Sequence, residues 1–132
     1  MAYSDNPMIT SIIAGTTFAT ADLYKFIDLD AQGHAILMDT TGNNLAFGVL
    51  YGVTKTTSTE AEAVPVAYGG VVKVQALAST MSVGNWVAAS SSGLATAPST
   101  DGYVFGRVIE GTSGAAGRIL TVAVIRGPLS TP

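Results

Sequence analysis

Residues 71–111 read VVKVQALASTMSVGNWVAASSSGLATAPSTDGYVFGRVIEG, and the alternation of strand and turn residues along them decides the fold. Val71, Val72, Val74 and Leu77 form a β-branched run suited to a half-buried pleated surface. Ser82-Val83-Gly84-Asn85 is a turn cluster that hands over to Trp86-Val87-Ala88-Ala89. The polar tip Ser90-Ser91-Ser92-Gly93 returns the chain into Leu94-Ala95-Thr96-Ala97. After Pro98 to Gly102 comes the strongest strand pattern of the chain, Tyr103 to Glu110. Short strands separated by turns at this spacing predict a small antiparallel barrel or sandwich. No chemically reactive group stands out in the stretch.

Upstream, Tyr24 to Asp30 and His34 to Met38 read as a hairpin joined by Asp30-Ala31-Gln32-Gly33, with Asp opening and Gly closing the turn. Phe18 to Leu23 suits one helical turn. Leu45 to Gly52 is apolar throughout and predicts a central strand, after a turn at Thr40 to Asn44. Val53 to Glu62 is the longest loop candidate. Ala63 to Tyr68 resumes as a strand, and Pro65 marks it as a sheet edge. Gly69-Gly70 then reads as a turn. Beyond Gly111, residues 112–117 predict a tip, Arg118 to Ile125 a closing strand and residues 128–132 a short tail.

The expectation is therefore an all-β fold of roughly ten strands, a single small antiparallel β-barrel or sandwich over residues 9–127, preceded by an extended N-terminal arm at residues 1–8. Phe47, Val49, Val72, Val74, Val87, Val104, Val108, Leu120, Val122 and Val124 occupy alternating sites of the strongest strands and are expected inside. The arm is polar and holds Pro7, and chain ends are loose unless tied down. Both a plain loose end and a reaching segment with Tyr3 as its anchor are compatible with it.

Composition points to contact rather than chemistry. The 132 residues carry only 11% charged side chains against 48% hydrophobic ones. Ordinary soluble domains hold about 25% charged residues, so much of this surface is expected to be interface. A net charge of −3 gives no basic footprint, which argues against a nucleic-acid partner. No apolar run approaches the ~18 residues of a membrane helix, and no targeting segment is recognisable. A soluble protein made in a cytoplasm, with no membrane partner, is expected.

The candidate chemistries are weak. With no cysteine and His34 as the one histidine, a His/Cys metal cluster and a Cys–His nucleophile are excluded. His34 stands beside a turn glycine, and no Gly-x-Ser-x-Gly elbow exists to support a triad. Asp28 to Gly33, with Asp39 at the twelfth place, matches much of a calcium loop. Gln32 and Asp39 depart from that pattern, and the flanks alternate as strands, so a plain turn is preferred. Residues 111–117 mimic a phosphate loop but lead into a strand instead of a helix. Trp86 with Tyr51, Tyr68 and Tyr103 would suit a sugar-binding face, though single aromatics on strands more often anchor cores or interfaces. Asp22, Asp28, Asp30 and Asp39 offer no cleft for a carboxylate pair. No enzyme activity, cofactor or metal is expected.

The order of several motifs carries a resemblance across most of the chain. They are Ala46-Phe47-Gly48-Val49-Leu50, Gly70-Val71-Val72-Lys73-Val74, and Gly84-Asn85-Trp86-Val87 followed by Ser92-Gly93. Gly106-Arg107-Val108-Ile109-Glu110 follows, ahead of Gly117-Arg118-Ile119-Leu120-Thr121-Val122. In this the chain resembles the capsid cement, or head-decoration, proteins of tailed bacteriophages. The family often has Asp-Leu-Val where this chain has Asn85-Trp86-Val87. The resemblance implies a β-tulip-like fold on the outer surface of the virion capsid, as a homotrimer that stabilises the shell without catalysis. It implies the major capsid protein as partner. Ala2, Tyr3, Ser4, Asp5, Asn6, Pro7 and Met8 are the candidate capsid contacts, and Tyr68, Trp86 and Tyr103 the candidate oligomer contacts. A head-fibre module that binds host glycans and, more distantly, a β-rich hydrolase are the competing readings.

Overall fold

Period-two runs of Val, Ile and aromatic residues become nine strands in a computed structural model that describes residues 6–38, 46–53, 62–77, 81–98, 103–111 and 117–128. They are β1 (Asn6–Ile13), β2 (Phe26–Leu29), β3 (Ala35–Leu37), β4 (Gly48–Leu50) and β5 (Ala63–Gln75). β6 (Trp86–Ala89), β7 (Ala95–Thr96), β8 (Tyr103–Glu110) and β9 (Ile119–Pro128) follow. The fold is all-β. One 3-10 turn at Thr20–Asp22 is the only helical element among the described residues, and it falls within the segment expected to form one. No helix among them is long and apolar enough to cross a membrane. The expected turn at 40–44, the central part of the expected 53–62 loop, the 112–116 tip and the tail beyond Pro128 lie outside the described residues.

The strands join into one curled antiparallel sheet in the order β3-β2-β4-β5-β9-β8-β6-β7, with β1 on β5. β5 organises it. Gly69-Gly70, expected to turn the chain, lies inside β5 instead. Met8 faces Gly69 and Ile9 faces Ala67, so Tyr68 is a bulge residue. Gly70 adopts φ 79°, a value that a side chain would resist, and the strand bends there without reversing. Pro65 does not mark an edge either: β1 lies on one side of β5 and β4 on the other. Its carbonyl accepts from Tyr51 N at 2.9 Å, so its missing N–H falls where the β4 ladder has just ended.

The two halves of the chain have the same design. On one side β1 pairs with the first half of β5, from Ile9↔Ala67 to Ile13↔Ala63. On the other, the second half of β5 pairs with β9, from Val71↔Ala123 to Gln75↔Ile119. Phe26↔Val49 and Ile27↔Gly48 correspond to Trp86↔Arg107 and Val87↔Gly106. Val49↔Ala67 and Leu50↔Val66 correspond to Arg107↔Ala123 and Val108↔Val122. Even the closing bridges repeat, as Ala14↔Ala35 and Ala76↔Ala95. The first unit is thus β1 to the first half of β5, and the second unit is the second half of β5 to β9.

Side chains follow the backbone. Ile27, Ala35, Leu50, Val64 and Val66 fill the first unit with Phe18. Their counterparts Val87, Ala95, Val108, Leu120 and Val122 lie in the second cluster. Gly48 and Gly106 mark the same crowded crossing. A Cβ on Gly48 would collide with Ala67 O and stand 2.8 Å from Val66 Cγ1; one on Gly106 would collide with Ala123 O and stand 2.6 Å from Val122 Cγ1. Of the expected core, Val49, Val72, Val74, Val87, Val104, Val108, Leu120 and Val122 are buried. Phe47 and Val124 are only half-buried, packed at the margins of the two clusters. The larger cluster also takes Phe26, Met38, Ala46, Val49 and Ala67 from the first unit, and this face locks the units together.

Candidate interaction surface

The candidate contact residues fall in separate places. Ala2, Tyr3, Ser4 and Asp5 lie outside the described residues. Asn6, Pro7 and Met8, read from sequence as part of a free arm, are instead the start of β1, opposite Val71, Gly70 and Gly69. Their polar character and the proline hid an edge strand, a place where proline is tolerated. Tyr68 is the exposed bulge residue, Tyr103 begins β8 opposite Pro128, and Trp86 lies half-buried on β6 opposite Arg107. The aromatic pairs among the described residues are Tyr24–Tyr51, at 5.2 Å between centroids, and Phe26–Phe105, at 4.9 Å. Neither includes Tyr68, Trp86 or Tyr103, so no shared platform forms. The Arg107 guanidinium covers the Trp86 ring at 4.9 Å.

The turn carboxylates are engaged in folding. Asp30 Oδ1 accepts from Gln32 N and His34 N, both at 2.9 Å, which is the Asx geometry of a tight reversal. Asp28 Oδ1 accepts from Leu29 N at 2.9 Å. His34 Nδ1 lies 3.8 Å from Asp30 Oδ2 on the surface. The counterpart hairpin uses Ser90, whose Oγ accepts from Leu94 N at 3.2 Å, and both turns place glycine, Gly33 or Gly93, at φ 79°. No group of three or more His, Cys, Asp or Glu residues that could hold a metal ion occurs among the described residues; Asp39 lies outside them.

Two places do carry distinctive geometry. The first is Arg126, where the β8–β9 register shifts so that Ile125 and Arg126 face Phe105. Its guanidinium donates to Phe47 O and, at 2.8 Å, to Tyr68 O, and lies 5.1 Å from the Phe105 ring centre. One side chain therefore ties β9 to the bulge of β5 and to the residue that leads into β4. Desolvation there lowers its pKa from the ordinary arginine value. No residue pattern marks this staple, because both acceptors are backbone carbonyls.

The second is the outer edge of β1. Among the described residues β1 pairs with β5 along its length, and the N–H groups of Ser11 and Ile13 that face away from β5 meet no strand; β3 reaches only the end of β1, through the Ala14↔Ala35 bridge. Met8 (52%), Ile9 (48%) and Ile13 (37%) are exposed along it. Lone exposed apolar residues are ordinary, whereas an open edge carrying several of them invites pairing with another chain. Ile119 and Ile125 are exposed at separate points along β9. No family model, curated protein or solved structure matches this chain.

Proposed function

We propose that this chain is a capsid decoration protein, which binds the outer surface of a bacteriophage head and stabilises the shell by bridging major capsid proteins. The observation that carries the reading is where the exposed apolar residues lie. Met8, Ile9 and Ile13 lie along the edge of β1 that is open among the described residues, and Ile119 and Ile125 lie on β9, inside the sheet between β5 and β8. A cement protein needs adhesive strips on more than one side, since it touches several neighbours at once, and it needs no reactive group. The low charge of the chain suits the same role. In this reading the residues before β1 reach the shell, with Tyr3 as the anchor, and copies assemble as homotrimers through Tyr68, Trp86 and Tyr103.

The test is addition of purified protein to shells stripped of decoration, followed by electron cryomicroscopy and a disruption assay. Saturable external density and a raised disruption temperature are expected. Shells that take up none of the protein, or hold it only inside, would overturn the reading.

A further inference from the structure

The duplicated design has an unequal ending. Inside the chain, the outer edge of the second unit's first strand (71–75 of β5) is covered by the first unit. Lys73 N donates to Tyr51 Oη at 2.6 Å, and Gln75 N donates to Tyr24 O at 2.9 Å. Gln75 Nε2 reaches Ala21 O and Leu23 O at 2.8 and 2.5 Å. The counterparts of Lys73 and Gln75 on β1 are Ser11 and Ile13, both exposed, and their outward N–H groups face no strand among the described residues. Position by position β1 is more exposed than its counterpart: Ile9 against Val71, Thr10 against Val72, Ser11 against Lys73, Ile12 against Val74.

The covering surface is also present a second time, at the other end of the molecule. Counterparts of Leu23, Tyr24 and Tyr51 are Val83, Gly84 and Ile109. The match is exact in the backbone, where Tyr24 N→Leu50 O and Gly84 N→Val108 O are both 2.8 Å. Tyr24 even holds φ 68°, the value that glycine meets easily at position 84 with φ 93°. Val83 is 61% exposed and Ile109 is half-buried. The aromatic pair that joins the units, Phe26 with Phe105, leaves the counterparts Trp86 and Phe47 half-buried on the two outer faces. Where a next unit would sit, Arg107 bonds Gly84 O through two nitrogens at 3.1 Å and covers Trp86. These are exposed contacts that a docking strand can displace.

From this we infer that the β1 edge of one copy receives the 83–84, 86 and 109 face of a second copy, head to tail, with Ile13 N donating to Gly84 O as Gln75 N donates to Tyr24 O within the chain, and Ile109 giving apolar cover where Tyr51 gives a hydroxyl. The occupant is a second copy because the complementary surface is this chain's own, in the arrangement already built between its halves. A heterologous contact of this kind closes into a ring where its rotation allows and otherwise runs on as a filament. The inference rests on the duplication and does not depend on the capsid reading.

The chain has no cysteine, so single cysteines report position cleanly. Ser11→Cys and Ile109→Cys stand for the Lys73–Tyr51 contact, and Ser91→Cys, on an exposed hairpin tip, is the control. Chains are mixed in pairs and treated with a short bismaleimide, with circular dichroism checking that each is folded. S11C with I109C is expected to give cross-linked dimer several-fold above S11C with S91C. The double variant S11C/I109C is expected to give a ladder of linked chains beyond the dimer. Two results would overturn the inference: S11C linking chiefly to itself, which means β1 packs on β1, or S11C with I109C at the control level.

Discussion

β1 and the second half of β5 are the same strand in two settings. Each leads a unit of the same register, and each feeds alternate side chains inward, yet one is capped on its outer edge and the other, among the described residues, is bare. The sequence follows that difference. Where the edge is covered, the outward positions hold Lys73 and Gln75, whose backbone N–H groups, and the Gln75 side chain, bond the neighbouring unit. Where it is bare, the same positions hold Ser11 and Ile13. A repeat therefore need not be stabilised equally in both copies, and its weaker copy is where association becomes available.

The largest effect should come from the aromatic contact that joins the two units. Phe105→Ala removes a buried ring packed edge-on against Phe26 and is expected to cost about 3–5 kcal/mol. Phe47→Ala, at the matching position but half-buried, should cost about 1.5–3 kcal/mol. Urea unfolding of both variants checks this, and equal losses would remove the asymmetry.

Next come the glycines of the crossing. Gly48→Ala and Gly106→Ala each force a methyl onto a facing carbonyl, so each is expected to destabilise by about 1–3 kcal/mol. Losses of the same size would sharpen the equivalence of the units, whereas a tolerated change at one site alone would break it. Gly84→Ala should cost about 1–2 kcal/mol, because a Cβ is disfavoured in the left-handed region. Thermal melts at several protein concentrations separate that cost from any change in association.

The smallest effect is at the staple. Arg126→Ala loses two charge-assisted hydrogen bonds and a ring contact at an exposed rim, for about 1 kcal/mol. Arg126→Lys should recover only part of it, since a single ammonium lacks the planar fork that reaches both carbonyls. Full recovery in a melting experiment would mean that charge alone matters there.

The parts legible in the sequence were those governed by local chemistry. Alternation placed Val72, Val74, Val104, Val108, Leu120 and Val122 in the core, and Asp30 to Gly33 and Ser90 to Gly93 announced their turns. Gly69-Gly70 misled because a bulge and a turn ask for the same residues, and only the pairing of β1 with β5 tells them apart. Pro65 misled because its missing N–H is harmless where a neighbouring ladder stops. The duplication left literal traces in Phe-Gly at 47–48 and 105–106, Val-Ala at 66–67 and 122–123, Gly-x-Ala at 33–35 and 93–95, and Ala14 with Ala76. Elsewhere the units share only apolar character, as in Ile27 with Val87 or Leu50 with Val108, because packing constrains volume and polarity more than identity. The contact surface was the least legible, since its meaning lies in an edge whose counterpart is covered.

Amide hydrogen exchange, followed residue by residue on dilute protein, tests the central claim most directly. Lys73 and Gln75, bonded to Tyr51 and Tyr24, should be strongly protected, while Ser11 and Ile13 exchange near the rate of open chain. Equal protection of the two pairs in dilute solution would contradict the account, because β1 would then not be the bare copy of a covered strand.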